Sequence, residues 1–248
     1  MACGDRFEEA AAIARQSPKM SVGCHVVLVD GKPLLNPAAV PSLTHASSSA
    51  GFRQSLGLFA FLAASGRLNE AEIEAEITAQ IQKLQAAGLA VSHLDSHKHT
   101  HMLPVVLRAM LRAAGACGVR ALRNPFDPLV FASVRQWKRH FQLRMMRRFR
   151  PGFRHALAEA GMATPDGCLG IAATGGLKLE NFQSMLKNLP DGTWEFVSHP
   201  GYNDQDLDRV ITRLRQSREK ELAILTSHRV KKVLRDEGIQ LISYRELV

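Results

Sequence analysis

The sequence predicts an α/β protein built as a single (β/α) barrel-like domain over residues 1–248. Three observations lead there. Segments of helical periodicity alternate with short β-branched runs along the chain, as in a parallel sheet or barrel. The length of 248 residues is usual for a (β/α) barrel and does not call for a second domain. Polar residues with useful chemistry, His97 to His101, Arg123 and His199, fall at the ends of expected strands, where such folds place their active sites.

Taken in order, Asp5 reads as the N-cap of a helix over 6–15 with an acidic first turn. Pro18 ends that unit, and 22–29 is a β-branched strand closed by Asp30-Gly31, with His25 as its one polar side chain. A lone histidine in a buried strand is more often a core residue than a ligand. Residues 33–50 form a proline- and serine-rich loop, long enough to suggest function. Helices are expected over 52–64 and over 70–87, the second stopped by Gly88. A helix opening near Pro104 runs to Ala116, a strand covers 118–123, and Asn124-Pro125-Phe126-Asp127-Pro128 is a stiff loop. The remaining elements are a basic helix over 129–149, a short helix over 151–160 and a strand over 168–173. A helix over 180–188, a strand over 194–198, a helical region over 207–236 broken near Ser227, and a last strand over 239–243 complete the chain.

Chemistry collects in the stretch from Val91 to His101. His93, Asp95, His97, His99 and His101 occupy every second position, and in an extended strand all five share one face. Imidazole and carboxylate are ligands of zinc-class metals and proton carriers near neutral pH. Two imidazoles from different strands plus a carboxylate would make a three-ligand site with an open position for water. A further histidine, His199, is the candidate proton donor. Each piece has a plain alternative. Residues 97–101 could be a metal-sticky surface tract, and His199-Pro200-Gly201-Tyr202 an ordinary Pro-Gly turn. Thr174-Gly175-Gly176 suggests a phosphate cradle only weakly, lacking the P-loop lysine and the G-x-G-x-x-G spacing.

Composition narrows the partners. The net charge of +9 is concentrated at Arg135, Lys138, Arg139, Arg144, Arg147, Arg148, Arg150 and Arg154, with Trp137, Phe141, Met145 and Phe149 recurring every fourth residue. Such a helix either packs its apolar stripe inward or lies on an anionic membrane surface. Four scattered cysteines without paired spacing fit a reducing cytoplasm. No apolar run approaches the ~20 residues of a membrane span, and no charged region with an apolar signal core opens the chain. Nucleic acid is not an expected partner, because no recognition motif accompanies the charge and aromatics make up only 6%. Nothing sets the oligomeric state, so a homodimer stays open.

Three blocks carry a family resemblance: Val22-Gly23-Cys24-His25-Val26-Val27-Leu28, the run from Ser92 through His97-Lys98-His99 to Pro104, and Ser198-His199-Pro200-Gly201-Tyr202. In that order they resemble the YdjC-like (ChbG/HpnK) carbohydrate deacetylases. Cys24, residues 29–35, Lys98 and Arg123-Asn124-Pro125-Phe126 look most like the hopanoid-biosynthesis-associated branch, HpnK. The resemblance implies a metal-dependent N-deacetylase on the family's barrel-like fold. One divalent ion, Zn2+ or Mg2+, would be held by an N-terminal aspartate, His25 and His97, and would activate water against an acetamide. It further implies His199 as the acid, and Asp95, His99, His101, Arg123, Pro200 and Tyr202 as residues that face substrate or support the ligands. The implied substrate is an N-acetylglucosamine headgroup on a hopanoid lipid, with soluble chitooligosaccharides as the alternative. A lipid substrate would give segment 135–154 a membrane to meet. Family members open with a strand bearing Asn-Ala-Asp-Asp-Phe-Gly, which this sequence does not contain. The expectation is therefore a chain lacking the first β/α unit and inactive as it stands, or a non-catalytic sugar or lipid binder.

Overall fold

Parallel pairing of short strands organises the chain. The computed structural model describes residues 1–45, 51–127, 144–208, 210 and 212–248. They fall into two units, one comprising Met1–Arg123, Arg148–Thr164 and Ser243–Val248, the other Asn124–Arg147 and Pro165–Ile242.

The first unit holds α1 (Phe7–Arg15), β1 (Val22–Val26), α2 (Leu56–Ala64), α3 (Glu70–Ala86), β2 (Val91–Ser96), α4 (Pro104–Ala116) and α5 (Arg150–Glu159). β1 and β2 are parallel, with His25 opposite Asp95 and Val26 opposite Ser96. Parallel bridges extend the order from Leu94 to Leu122 and from Ala121 to Ala163. The expected strand over 118–123 is thus reduced to isolated bridges. α3 shows why this layer is stable. Asn69 caps it by accepting from Ala71 N, and Gly88 ends it in the left-handed region at φ +77°. Ile73, Ile77 and Ile81 recur every fourth residue and are buried, each contributing about 1.5–3 kcal/mol. On its outer side Glu70 pairs with Arg108 and Arg112, and Glu74 with Arg112, which fastens α3 to α4.

Several boundaries move for identifiable reasons. α1 starts at Phe7 with Arg6 as its N-cap and no side-chain cap bond, so Asp5 lies in the preceding turn and does not cap. β1 ends at Val26 instead of Val29 because a buried side chain takes over the next residue. Gln80 on α3 donates to Val27 O (2.7 Å) and accepts from Val27 N (2.9 Å). Glu76, one turn earlier, accepts from the Leu34 and Leu35 amides and pins the loop that follows. α2 begins at Leu56, capped by Ser55, and not at Phe52, which instead forms an antiparallel bridge to Thr44. Within 33–50 the described residues include one 3-10 turn, Pro37–Ala39. No strand forms over 239–243, where Leu241 and Ile242 are exposed.

The second unit contains β3 (Gly167–Leu169), α6 (Leu179–Lys187), β4 (Trp194–Phe196), α7 (Gln205–Asp208), α8 (Gln216–Leu225) and α9 (His228–Asp236). β3 and β4 are parallel. Beyond β3 the chain turns at Gly170, where φ is +92° and a Cβ would lie 2.4 Å from Val197 O, so no other residue fits and the expected strand to Ala173 stops short. Leu177, Phe182, Leu186, Ile224, Val230 and Val233 form its core. The helical region expected over 207–236 is three helices, and Ser227 makes the last break by capping α9 through Val230 N.

Of the expected basic helix, residues 128–143 lie outside the described residues. Met145 and Phe149, two positions of its stripe, are exposed, while Met146 packs against Cys168, Ile171, Ala172 and Val197. Arg147–Phe149 is a 3-10 turn leading into α5, whose Phe153 and Leu157 are buried. Among the described residues no helix is long and apolar enough to cross a membrane.

Candidate functional site

Three neighbouring segments of the first unit deliver polar side chains to one place. Parallel register sets His25 of β1 beside Asp95 of β2. Arg123 N donates to Leu94 O (3.0 Å), which brings the next segment's arginine to the same carboxylate. His25 Nδ1 lies 2.7 Å from Asp95 Oδ2, and the Arg123 guanidinium donates to the same oxygen. Burial by itself would raise the Asp95 carboxyl, but His25 and Arg123 beside it hold it well below the usual carboxylate range. Asp95 is therefore an ionised acceptor, and His25 Nδ1 donates to it.

His97 follows immediately. Its ring centroid is 5.9 Å from that of His25, with the planes near perpendicular. Burial, the nearby His25 and Lys98 lower its pKa to about 4, which keeps the imidazole neutral and able to donate a lone pair. Asp30 Oδ2 is 3.8 Å from His97 Nε2 and accepts from Lys98 Nζ at 2.9 Å, which lowers the Asp30 carboxyl. Asp30 was legible in the sequence only as the first residue of an Asp-Gly turn. Its left-handed backbone (φ +57°) is what turns it toward the strand ends.

The expected strand through His101 does not form. β2 stops at Ser96, residues 97–102 make a 3-10 run, and Lys98 and His99 take left-handed angles near φ +54°. The five alternating groups consequently do not share a face. Only His93 and Asp95 lie on the strand, and His93 stacks on Tyr244 at 3.7 Å and hydrogen-bonds Ser92. A serine organises the turn. Ser96 Oγ accepts from His101 N (3.0 Å) and Thr100 Oγ1 (3.1 Å), and donates to His101 Nδ1 (2.6 Å). His101 Nε2 then carries the ring proton and donates to Arg123 O at 3.3 Å. With both nitrogens engaged and the ring fully buried, burial lowers the His101 pKa to about 3. His101 thus braces Arg123. The His99 ring lies 6.3 Å from the His101 ring. The organising role of Ser96 had no sequence signal beyond its place before the histidines.

His199, Pro200 and Tyr202 belong to the second unit. They follow β4 in a loop docked on α8. His199 N donates to Glu221 Oε2 (2.6 Å), Gly201 N to Arg218 O (3.3 Å) and Asn203 N to Glu219 Oε1 (3.2 Å). Pro200 and Tyr202 are exposed. Glu221, buried at 2% exposure, is a structural anchor that helical periodicity alone did not distinguish.

The imidazoles of His25, oriented by a carboxylate, and of His97, kept neutral by burial, fit two ligand positions of a borderline divalent metal. Among the described residues no group of three His, Cys, Asp or Glu side chains is arranged to hold an ion.

Comparison with known proteins agrees with these features. The family model described as YdjC-like protein matches residues 1–236. A carbohydrate deacetylase of Geobacillus stearothermophilus is 31% identical over 242 residues, 96% of this chain and 81% of that protein. Its counterpart in Brevibacillus brevis is 31% identical over 97% of this chain and 84% of that protein. The carbohydrate deacetylase of Thermoanaerobacter pseudethanolicus is 28% identical over 95% of this chain and 81% of its own length. A crystal structure from Enterococcus faecalis, of a protein assigned to cellobiose-phosphate cleavage, superposes with a TM-score of 0.77 at 24% identity. It covers 100% of this chain and 86% of that one, and it establishes likeness of fold.

Proposed function

The chain belongs to the YdjC-like family, and from that premise we propose that it is a carbohydrate N-deacetylase, a hydrolase of the acetamide on an N-acetylated sugar. The observation that carries the reading is the Asp95 carboxylate shared by His25 and Arg123 beside a neutral His97. The fold and family support it.

In this reading the reaction depends on one divalent metal, zinc or magnesium, with His25 and His97 among its ligands. When bound, the ion supplies Lewis acidity toward a carbonyl oxygen and lowers the pKa of water. The chain's own residues do the rest. Asp95 engages His25 Nδ1 and orients the ring, so that Nε2 is the nitrogen that would hold the ion. Arg123 keeps Asp95 ionised, and His101 and Ser96 hold Arg123 in place. Hydrolysis breaks the C–N bond, adds the water oxygen to the carbonyl carbon and gives the nitrogen a proton, and His199 is the proposed donor of that proton. His99, Pro200 and Tyr202 are assigned to the sugar side.

The finer proposal is an N-acetylglucosamine headgroup on a hopanoid lipid, handled in the cytoplasm by a single barrel-like domain with segment 135–154 at the membrane. The support is the match of Cys24, Lys98 and residues 123–126 to that branch. Soluble chitooligosaccharides are the second reading, compatible with the relatives' designation as carbohydrate deacetylases. Acetate release from an N-acetylglucosaminyl hopanoid and from chitobiose, measured with and without added zinc or magnesium, tests both. Release from the lipid alone supports the finer proposal, and release from chitobiose alone transfers it to the soluble sugar. Metal-independent release from either would refute the metal's role.

A further inference from the structure

Among the described residues Glu76 and Glu221 are the glutamates buried in the fold, and they are used differently. Glu76 engages both oxygens. Its Oε1 accepts from Leu34 N (2.9 Å) and Gln80 Nε2 (2.8 Å), and its Oε2 from Leu35 N (3.0 Å). Glu221, in the middle of α8, engages one. Its Oε2 accepts from His199 N at 2.6 Å, whereas Oε1 is a buried atom with no hydrogen-bond partner among the described residues. Buried acceptors left in that state are costly and rare, and each calls for a reason.

Seating the loop does not supply that reason. Gly201 N donates to Arg218 O and Asn203 N to Glu219 Oε1, so α8 already holds the loop at two other points. One backbone amide also needs only one acceptor, which an uncharged side chain could provide. The second oxygen has a use on geometric grounds. The Nδ1 atom of a histidine lies close to the amide of its own residue, because only Cα, Cβ and Cγ separate the two. A carboxyl group seated on that amide therefore has its other oxygen within reach of Nδ1 through rotation of the ring. His199 Nδ1 is itself a buried atom, where water competes little with a protein acceptor.

We propose that Glu221 is the positioning residue of the proton donor, with Oε2 on the His199 backbone amide and Oε1 accepting the Nδ1 proton of the His199 ring. The pairing fixes the ring and leaves the Nε2 proton as the one to be given. In that step the Nε2–H bond breaks and an N–H bond forms, the lone pair of the departing sugar nitrogen taking the proton. The electron pair of the broken bond stays on Nε2, Nδ1 keeps its proton, and none passes to Glu221. The role rests on the deacetylase reading, whereas the pairing rests on the geometry alone.

Two measurements on the full chain test it, both with Glu221→Gln, which keeps an acceptor for the His199 amide and replaces the second oxygen by a donor. The first is solvent exchange of the His199 Nδ1 proton, followed by NMR of protein carrying nitrogen-labelled histidine at a pH where the ring holds both protons. Loss of the signal in His199→Gln assigns it. The proton should be protected in the parent and exchange about tenfold faster or more in Glu221→Gln, as expected for a lost hydrogen bond to a charged group. Glu219→Gln changes the other side-chain anchor of the loop, leaves both Glu221 oxygens in place and should exchange like the parent. The second compares two reactions with added zinc or magnesium: acetate release from an N-acetylated sugar, chitobiose or the N-acetylglucosaminyl hopanoid, and hydrolysis of para-nitrophenyl acetate, whose phenolate leaves without a proton. Glu221→Gln should lower kcat on the acetamide about tenfold or more beyond its effect on the ester, with KM changed less than about twofold. A merely structural role would slow both alike. The proposal is overturned if the Nδ1 proton exchanges equally fast in parent and Glu221→Gln, or if acetamide and ester lose rate in the same proportion. If the parent cleaves neither substrate, the deacetylase reading falls and the exchange measurement alone decides the pairing.

Discussion

Replacing Arg123 with methionine leaves a buried carboxylate without its fixed cation, and the consequence can be sized. Asp95 has 6% of its side chain exposed and Arg123 14%, so solvent screens the pair little. Removing one member of such a buried pair costs about 3–5 kcal/mol, because the other charge stays desolvated. For a chain of this length each kcal/mol lowers Tm by roughly 2–4 °C, so Arg123→Met should melt roughly 6–20 °C below the parent. The informative comparison is the double variant Arg123→Met/Asp95→Asn. The amide keeps an acceptor for His25 Nδ1 and removes the stranded charge, so the double variant should be more stable than Arg123→Met alone. Urea unfolding of the parent, both single variants and the double variant gives the coupling energy directly. If Arg123→Met lies within about 0.5 kcal/mol of the parent, or the two losses simply add, the carboxylate is not held by this arginine and the electrostatic account fails.

Three further outcomes follow from the same physics. The His101 pKa, lowered to about 3 from 6.5, means that the unfolded chain takes up this proton first between those values. Stability should therefore be fully present above pH 6.5 and decline as pH falls through the window, by up to about 1.4 kcal/mol per pH unit from this group, and an NMR titration showing His101 protonating near 6.5 would contradict it. Ile77→Ala should cost about 2–5 kcal/mol in urea unfolding, since Ile77 is fully buried on α3; a loss below about 1 kcal/mol would mean that this face of α3 is not packed as described. Burial pushes the Cys24 thiol up to about 12, so a thiol reagent at pH 8 should leave it unmodified until urea unfolds the chain.

Much of the fold was legible because it is written in local terms. α3 and α4 appear within a residue of their expected bounds, since an isoleucine repeat, Pro104 and Gly88 act over a single turn. Elements whose limits depend on distant partners were misread. β1 is cut at Val26 by a glutamine more than fifty residues away, and residues 239–243 carry an apolar run that finds no strand to pair with. The histidine stretch shows both cases. Its composition announced a site with imidazole and carboxylate chemistry, whereas its spacing misled, because Lys98 and His99 leave the extended region just where the alternating pattern was to continue.

The sequence by itself determined the alternation of helix and strand, the family, and the residues able to carry chemistry, since each depends on side-chain identity or short-range periodicity. Only the tertiary structure decided which of those residues meet. Parallel register placed His25 against Asp95, the bridge from Leu94 placed Arg123 on the same oxygen, and the turn braced by Ser96 withdrew His101 into a supporting role. The contacts of Asp95 with His25 and with Arg123 join residues 70 and 28 positions apart. Over such separations backbone hydrogen bonding across strands sets the distances, and no single stretch of sequence encodes that pairing.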